Sequence, residues 1–253
     1  MTTVARAMGQ QLRAAGVRYV MGHPGGEVVD LIDGLRLEGL DFVLTKHETA
    51  AAFMADAMGS FEGIPGVCIG TLGPGATNLV TGIAHAYLDR SPVIAITGQL
   101  PVDRYELCTH QKLDLGAMFS PITKWHARIT ASNAQPVTAR AVRVATRHRP
   151  GPVYLEVSSD VPRQHARAIA LDEPHLEVAG RFDSRDDLRA AELLRASERP
   201  VILAGMDALR DGASEQFRRL AERWSIPVMV SPKAKGVFRE DHPLFLGTIE
   251  MFG

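Results

Sequence analysis

The sequence has no apolar stretch near the roughly 20 residues that cross a membrane, and its start, MTTVARAMGQQL, lacks the apolar centre of a signal peptide. Cysteine is scarce, with two in 253 residues. Cys68 lies in the apolar run GVCIGTL and Cys108 in a polar loop, with neither CxxC spacing nor the paired framework of a disulfide scaffold. Both read as free thiols. An excess of charge is missing too. The 28 Lys and Arg face 29 Asp and Glu, a formal balance of -1, so nothing attracts a nucleic acid backbone or an anionic membrane surface. There is no internal repeat and no low-complexity tract. The chain therefore reads as a soluble, cytoplasmic globular protein whose partners are small molecules or other proteins. At 45% hydrophobic and 23% charged residues, it can bury one large core or two smaller ones.

What is present is an alternation of apolar runs with segments of helical period. That pattern predicts an α/β fold with a doubly wound, mostly parallel sheet. The expected strands are RYVMG, DFVLT, GVCIGTL, PVIAITG, WHARIT and GPVYLEV, with helices at about 27–38, 47–62, 76–89 and 134–148. Several strands are apolar throughout, as burial on both faces of an open sheet requires. These elements make residues 1–165 one domain. Residues 166–184, mixed in charge and without period, read as a linker. Residues 185–253 read as a second α/β unit with helices near 185–196 and 212–224 and the strands PVILAG and IPVMVS. Two strands and two helices cannot cover both faces of a sheet, so this unit is expected to be a partial, Rossmann-like domain.

Three loops at the expected carboxyl ends of strands carry chemistry. In KHETAAAFMADAMG, Thr45 and Glu48 have the T-x-x-E spacing of a capping box, and that spacing alone favours a cap. The alanine-rich run that follows predicts a helix packed on several sides. In open sheets the carboxyl ends of strands bind ligands, and a carboxyl group short of water there can hold or share a proton. GTLGPGATN, residues 70–78, makes a tight turn into a helix and turns free N–H groups outward. It is neither a P-loop nor a dinucleotide fingerprint, and a plain strand-to-helix turn remains open. GHPGGEVVD, residues 22–30, lets backbone approach backbone or a ligand. His47, His110 and His126 show no metal-ligand spacing and read as structural.

Together, HPGGEVVDLIDGL, KHETAAAFMADAMG, GVCIGTLGPGATNLVTGIAHAYLDRSPVIAITGQ and RPGPVYLEVSSDVP resemble the pyrimidine-binding domain of thiamine diphosphate enzymes, in the acetolactate synthase and pyruvate oxidase branch. ERPVILAG and IPVMVSPKAKGVFREDHPLFLG resemble the first half of that branch's central domain. The resemblance implies decarboxylation or carboligation of 2-oxo acids with a pyruvate-type donor, by an enzyme that is at least a dimer. Glu48 falls on the family's catalytic glutamate, which bonds N1′ of the aminopyrimidine. Gln111 falls on a glutamine that points toward the reacting centre. Pro24, Gly25, Gly26, Thr71, Pro74 and Asn78 fall on segments that line the pyrimidine pocket.

The departures from the family pattern are as informative. Glu27 stands where acetolactate synthases carry a small residue. The segment AGMDALRDGA lacks the glycine-rich turn of flavin-binding members, which argues against FAD. The Gly-Asp-Gly motif that holds Mg2+ and the diphosphate in the family occurs nowhere in the sequence. The resemblance thus implies an arm supplying the glutamate, inactive by itself, with Mg2+ bound by a diphosphate domain elsewhere. Two rivals stay open: a separate pyrimidine-domain subunit that needs a partner chain, and a noncatalytic scaffold or regulatory protein.

Overall fold

The computed structural model describes residues 2–167 and 184–249. The chain divides into two compact units, Met1–Leu176 and Glu177–Gly253.

The first unit begins with α1 (Val4–Ala14), an amphipathic helix absent from the sequence-based expectation and capped by the Thr3 side chain. Then follow β1 (Tyr19–Gly22), α2 (Val29–Leu37), β2 (Asp41–Leu44), α3 (Glu48–Glu62), β3 (Gly66–Gly70), α4 (Pro74–Asp89) and β4 (Val93–Gln99). After a long loop come α5 (Leu115–Phe119), β5 (Trp125–Ile129), α6 (Ala134–Thr146) and β6 (Val153–Ser158). All six expected strands are present and form one sheet in the order β2-β1-β3-β4-β6-β5, every pair parallel.

Strand period 2 divides the core cleanly. Val67, Ile69, Ile94, Ile96, Val153 and Leu155 pack with α1, α2 and α6 on one face. Cys68, Val93, Ala95 and Tyr154 pack with α3, α4 and α5 on the other. That double burial is why β3, β4 and β6 carry apolar side chains at successive positions.

The chain lays β2 on one side of β1, then returns to lay β3 on the other. The helices that follow β1 and β3 therefore lie on opposite faces of the sheet, and the two loops stand side by side at the carboxyl ends of the strands, where open sheets bind ligands. Helix α3 buries one face only: Ala51, Ala52 and Ala55 are inside, while Phe53 and Met54 are about two-fifths exposed. The expectation of packing on several sides failed because alanine is indifferent to burial, so an alanine run does not mark a face.

The second unit contains α7 (Ser184–Ala196), β7 (Ile202–Ala204), α8 (Met206–Arg210), α9 (Ser214–Trp224), β8 (Val228–Val230) and β9 (Phe245–Thr248). Its parallel sheet has three strands, β7-β8-β9, not the two expected. The missed β9 follows the polar loop FREDHP, contains Gly247 and joins β8 through an irregular register, so its period is broken. Its core gathers Ala204, Ala221, Val228, Val230, Ala234, Val237 and Phe238. Most of the expected 166–184 linker, residues 168–183, and residues 250–253 lie outside the described residues.

Candidate active site

Helix α3 starts at Glu48 because β2 does not release the chain until Thr45. The Thr45 N–H donates to the Gly22 carbonyl at 2.8 Å, continuing the strand pairing. That N–H is therefore spent, and the Thr45–Glu48 capping box cannot close. The cap is His47 instead, whose Nδ1 accepts from the Thr49 N–H at 3.2 Å. Thr45 Oγ1 is buried without a hydrogen-bond partner.

Released from the cap, the Glu48 carboxylate turns toward α4. Asn78 Nδ2 donates to Glu48 Oε2 at 3.0 Å. The Thr49 hydroxyl donates to the Asn78 carbonyl at 2.6 Å, which ties the two helix starts together. Glu48 is only 7% exposed, and its other oxygen, Oε1, lies 3.1 Å from where a Cβ on Gly75 would sit. Gly75 therefore leaves room beside the carboxylate that any other residue would fill.

Thr71 stands at the centre of this cradle. A Cβ on Gly25 would fall 2.6 Å from Thr71 Cβ and Oγ1, and one on Gly75 would fall 2.6 Å from Thr71 Cγ2. Real Cβ atoms do not approach so closely, so both glycines are needed for the β1 and β3 loops to meet. Thr71 Oγ1 donates to Glu27 Oε2 at 2.6 Å. Gly73 caps α4 at φ 56° and ψ -121°, a backbone conformation reserved for glycine, with Pro74 following at the first turn. A Cβ there would strike Gln111 Cβ at 2.5 Å. Gln111 itself is exposed and holds a left-handed backbone, φ 53°.

The geometry thus gathers Glu48, Asn78, Gly75, Thr71 and Gly25, with Gly73 and Gln111 adjoining. Pro24 and Gly26 are not part of that cluster. Pro24 is exposed and lines a separate cleft of about 480 Å³ with Asp33, Arg36 and Phe42, and a Cβ on Gly26 would meet nothing within 4 Å. Pro74 is exposed at the helix start. Sequence reasoning missed Thr49, whose His-Glu-Thr context gave no sign that its hydroxyl would reach Asn78. Among the described residues, no group of three or more His, Cys, Asp or Glu is arranged to hold a metal ion, and no helix is long and apolar enough to cross a membrane.

The site thus holds a buried carboxylate pinned on one oxygen, beside a glycine-lined space at a strand switch point. The thiamine pyrophosphate enzyme N-terminal TPP binding domain matches residues 2–118, and the central domain of the same enzymes matches residues 188–253. The chain belongs to the thiamine pyrophosphate enzyme family.

Its relatives in that family include acetolactate synthases. A probable acetolactate synthase large subunit of Methanocaldococcus jannaschii is 43% identical over 98% of this chain and 43% of its own length. One from Methanococcus aeolicus is 37% identical over 98% and 43%, and the isozyme 1 large subunit of Escherichia coli is 35% identical over 96% and 43%. The chain thus spans a little over two-fifths of the length of these relatives.

Proposed function

We propose that this chain supplies the catalytic-glutamate half of a thiamine diphosphate site in an acetolactate-synthase-like enzyme that decarboxylates and joins 2-oxo acids of the pyruvate type. The observation that carries the reading is the Glu48 carboxylate, drawn off its own helix cap and held by Asn78 beside the space at Gly75. In this reading Glu48 holds and returns a proton at Oε1, opposite N1′ of the aminopyrimidine, while Asn78 keeps Oε2 from rotating away. Gly25, Thr71 and Gly75 shape the lip that receives the ring. Gln111, an uncharged donor at the rim, steadies developing negative charge without neutralising it. When bound, thiamine diphosphate supplies the electron sink that 2-oxo acid decarboxylation requires.

With no Gly-Asp-Gly in these 253 residues, the diphosphate and Mg2+ are held in this reading by another segment or another chain. The working unit is then a homodimer, a higher homo-oligomer or a complex with a partner chain. The segment AGMDALRDGA, without a glycine-rich turn, counts against FAD. The test is Glu48→Gln in the complete assembly. Loss of the proton holder lowers turnover of pyruvate by about 10²–10⁴-fold, read as carbon dioxide release. An unchanged rate would leave a scaffold role and remove the catalytic one.

A further inference from the structure

The last residue of β4 is Gln99, a polar side chain only 1% exposed, and both ends of its amide are engaged. Its Oε1 accepts from the Leu100 N–H at 2.9 Å, and its Nε2 donates to the Leu113 carbonyl and to Glu156 Oε2, each at 3.3 Å. Leu113 lies 14 positions further along the chain. One side chain therefore holds both ends of the loop that leads from β4 to α5 and carries Gln111. The partners also fix which way the amide faces, since a backbone N–H only donates and a carbonyl or carboxylate only accepts.

Glu156 gives this clasp its footing. It lies on β6, beside β4, and is 5% exposed. Its Oε1 takes Arg128 Nε at 2.6 Å and Nη2 at 2.5 Å from β5, which leaves Oε2 for Gln99. A chain of bonds thus crosses three adjacent strands, from Arg128 through Glu156 to Gln99, and ends on the loop. Gln111 stands just ahead of Leu113 and rests against Gly73, where there is no room even for a Cβ. Movement at Leu113 is therefore passed directly to Gln111.

We infer that Gln99 and Glu156 are positioning residues that clasp the base of the 100–113 loop and hold Gln111 at the rim of the Glu48 cradle. The inference rests on the thiamine diphosphate reading, in which Gln111 faces the reacting centre, and deepens it. A glutamate at position 99 would keep the bond to the Leu100 N–H but set a carboxylate against the Leu113 carbonyl and Glu156 Oε2, both acceptors. The downstream end of the loop would then be pushed away.

The test uses the complete assembly, with melting to verify the fold of each variant. Without cofactor, tryptic cleavage after Lys112, followed by mass spectrometry, is expected to quicken about tenfold in Gln99→Glu as the loop opens. With thiamine diphosphate, Mg2+ and pyruvate, kcat is expected to fall about 10–100-fold through misplacement of Gln111, while calorimetric binding of thiamine diphosphate stays within about threefold. Gln99→Met, of similar length and without an amide, is expected to act in the same direction and serves where the glutamate does not fold. Neither change should lower kcat further once Gln111→Ala is in place, since all three act through one group. Adding Glu156→Gln to Gln99→Glu supplies a new donor opposite the carboxylate and should recover most of the loss. Unaltered cleavage, losses that add to that of Gln111→Ala, or no recovery in the exchanged pair would each overturn the clasp and leave the thiamine diphosphate reading intact. An unchanged kcat in Gln111→Ala itself would instead remove Gln111 from the reacting centre, and the inference with it.

Discussion

Replacing Gly75 by alanine tests the cradle through stability alone, with no ligand present. The added methyl would sit 2.6 Å from Thr71 Cγ2 and 3.1 Å from Glu48 Oε1, against an ordinary carbon–carbon separation of about 3.5–4.0 Å. Two movements relieve the clash. Rotating Thr71 loses its bond to Glu27, and pushing Glu48 aside loses its bond to Asn78. Either loss costs roughly 1.5–3 kcal/mol, since one partner is charged, and crowding a packed site costs about 1–3 kcal/mol if neither moves. Exchanging glycine for alanine inside a helix returns about 1 kcal/mol. The net expectation is a destabilisation of about 0.5–2 kcal/mol, or a fall of roughly 0.2–1 M in the urea midpoint. Gly26→Ala is the control, because a Cβ there meets nothing within 4 Å and the backbone is not left-handed. That change should raise stability by about 0.4–1 kcal/mol through the unfolded chain. Equilibrium urea unfolding followed by circular dichroism decides the matter. A Gly75→Ala midpoint equal to or above that of Gly26→Ala would refute the cradle geometry.

Two further predictions concern the core beneath the site. Burial pushes the Cys68 thiol up to about 12, while an unfolded thiol titrates near 8.5; the unfolded chain therefore gives up its proton first. Stability is then full below about pH 8.5 and falls by about 1.4 kcal/mol per pH unit toward 12. Cys68→Ala should flatten the loss between about pH 8.5 and 10, before Tyr154 begins to act in the same direction. An unchanged slope in alkaline melting would contradict the burial of the thiol. Tyr154 is stacked on Phe119 at 4.3 Å and shares a 2.7 Å hydrogen bond with the fully buried Thr97. Tyr154→Phe keeps the stacking but leaves the Thr97 hydroxyl without that partner, at a cost of about 1–2 kcal/mol, measurable as a lower melting temperature.

The main sheet was legible because its strands are buried on both faces and therefore apolar at successive positions, a signal that survives without any partner in view. Helix α1 was not, since much of its buried face is the small residues Ala5, Ala7 and Gly9 and its cap, Thr3, sits two residues from the start. Strand β9 was lost to a glycine and a register slip. At the site, the motif order led directly to Glu48, Asn78 and Thr71. What spacing could not convey was competition for a single donor. Thr45 and Glu48 satisfy the local rule for a cap, and only the pairing of Thr45 with Gly22, from another strand, shows that the rule is overridden. The Thr71–Glu27 bond spans 44 positions and is likewise invisible to local reading.

The order in which the sheet is laid down bears on how the chain acquires its shape. Gly25, Thr71, Gly75, Glu48 and Asn78 all come from β1 to α4, successive elements joined by short connections, whereas β6 must insert between β4 and β5 after both have been synthesised. Loop closure is quicker for near neighbours than for distant ones. On a ribosome the segment that builds the cradle emerges before β5 and β6, and the non-local strand pairing is left to the part of the sheet away from the carboxylate.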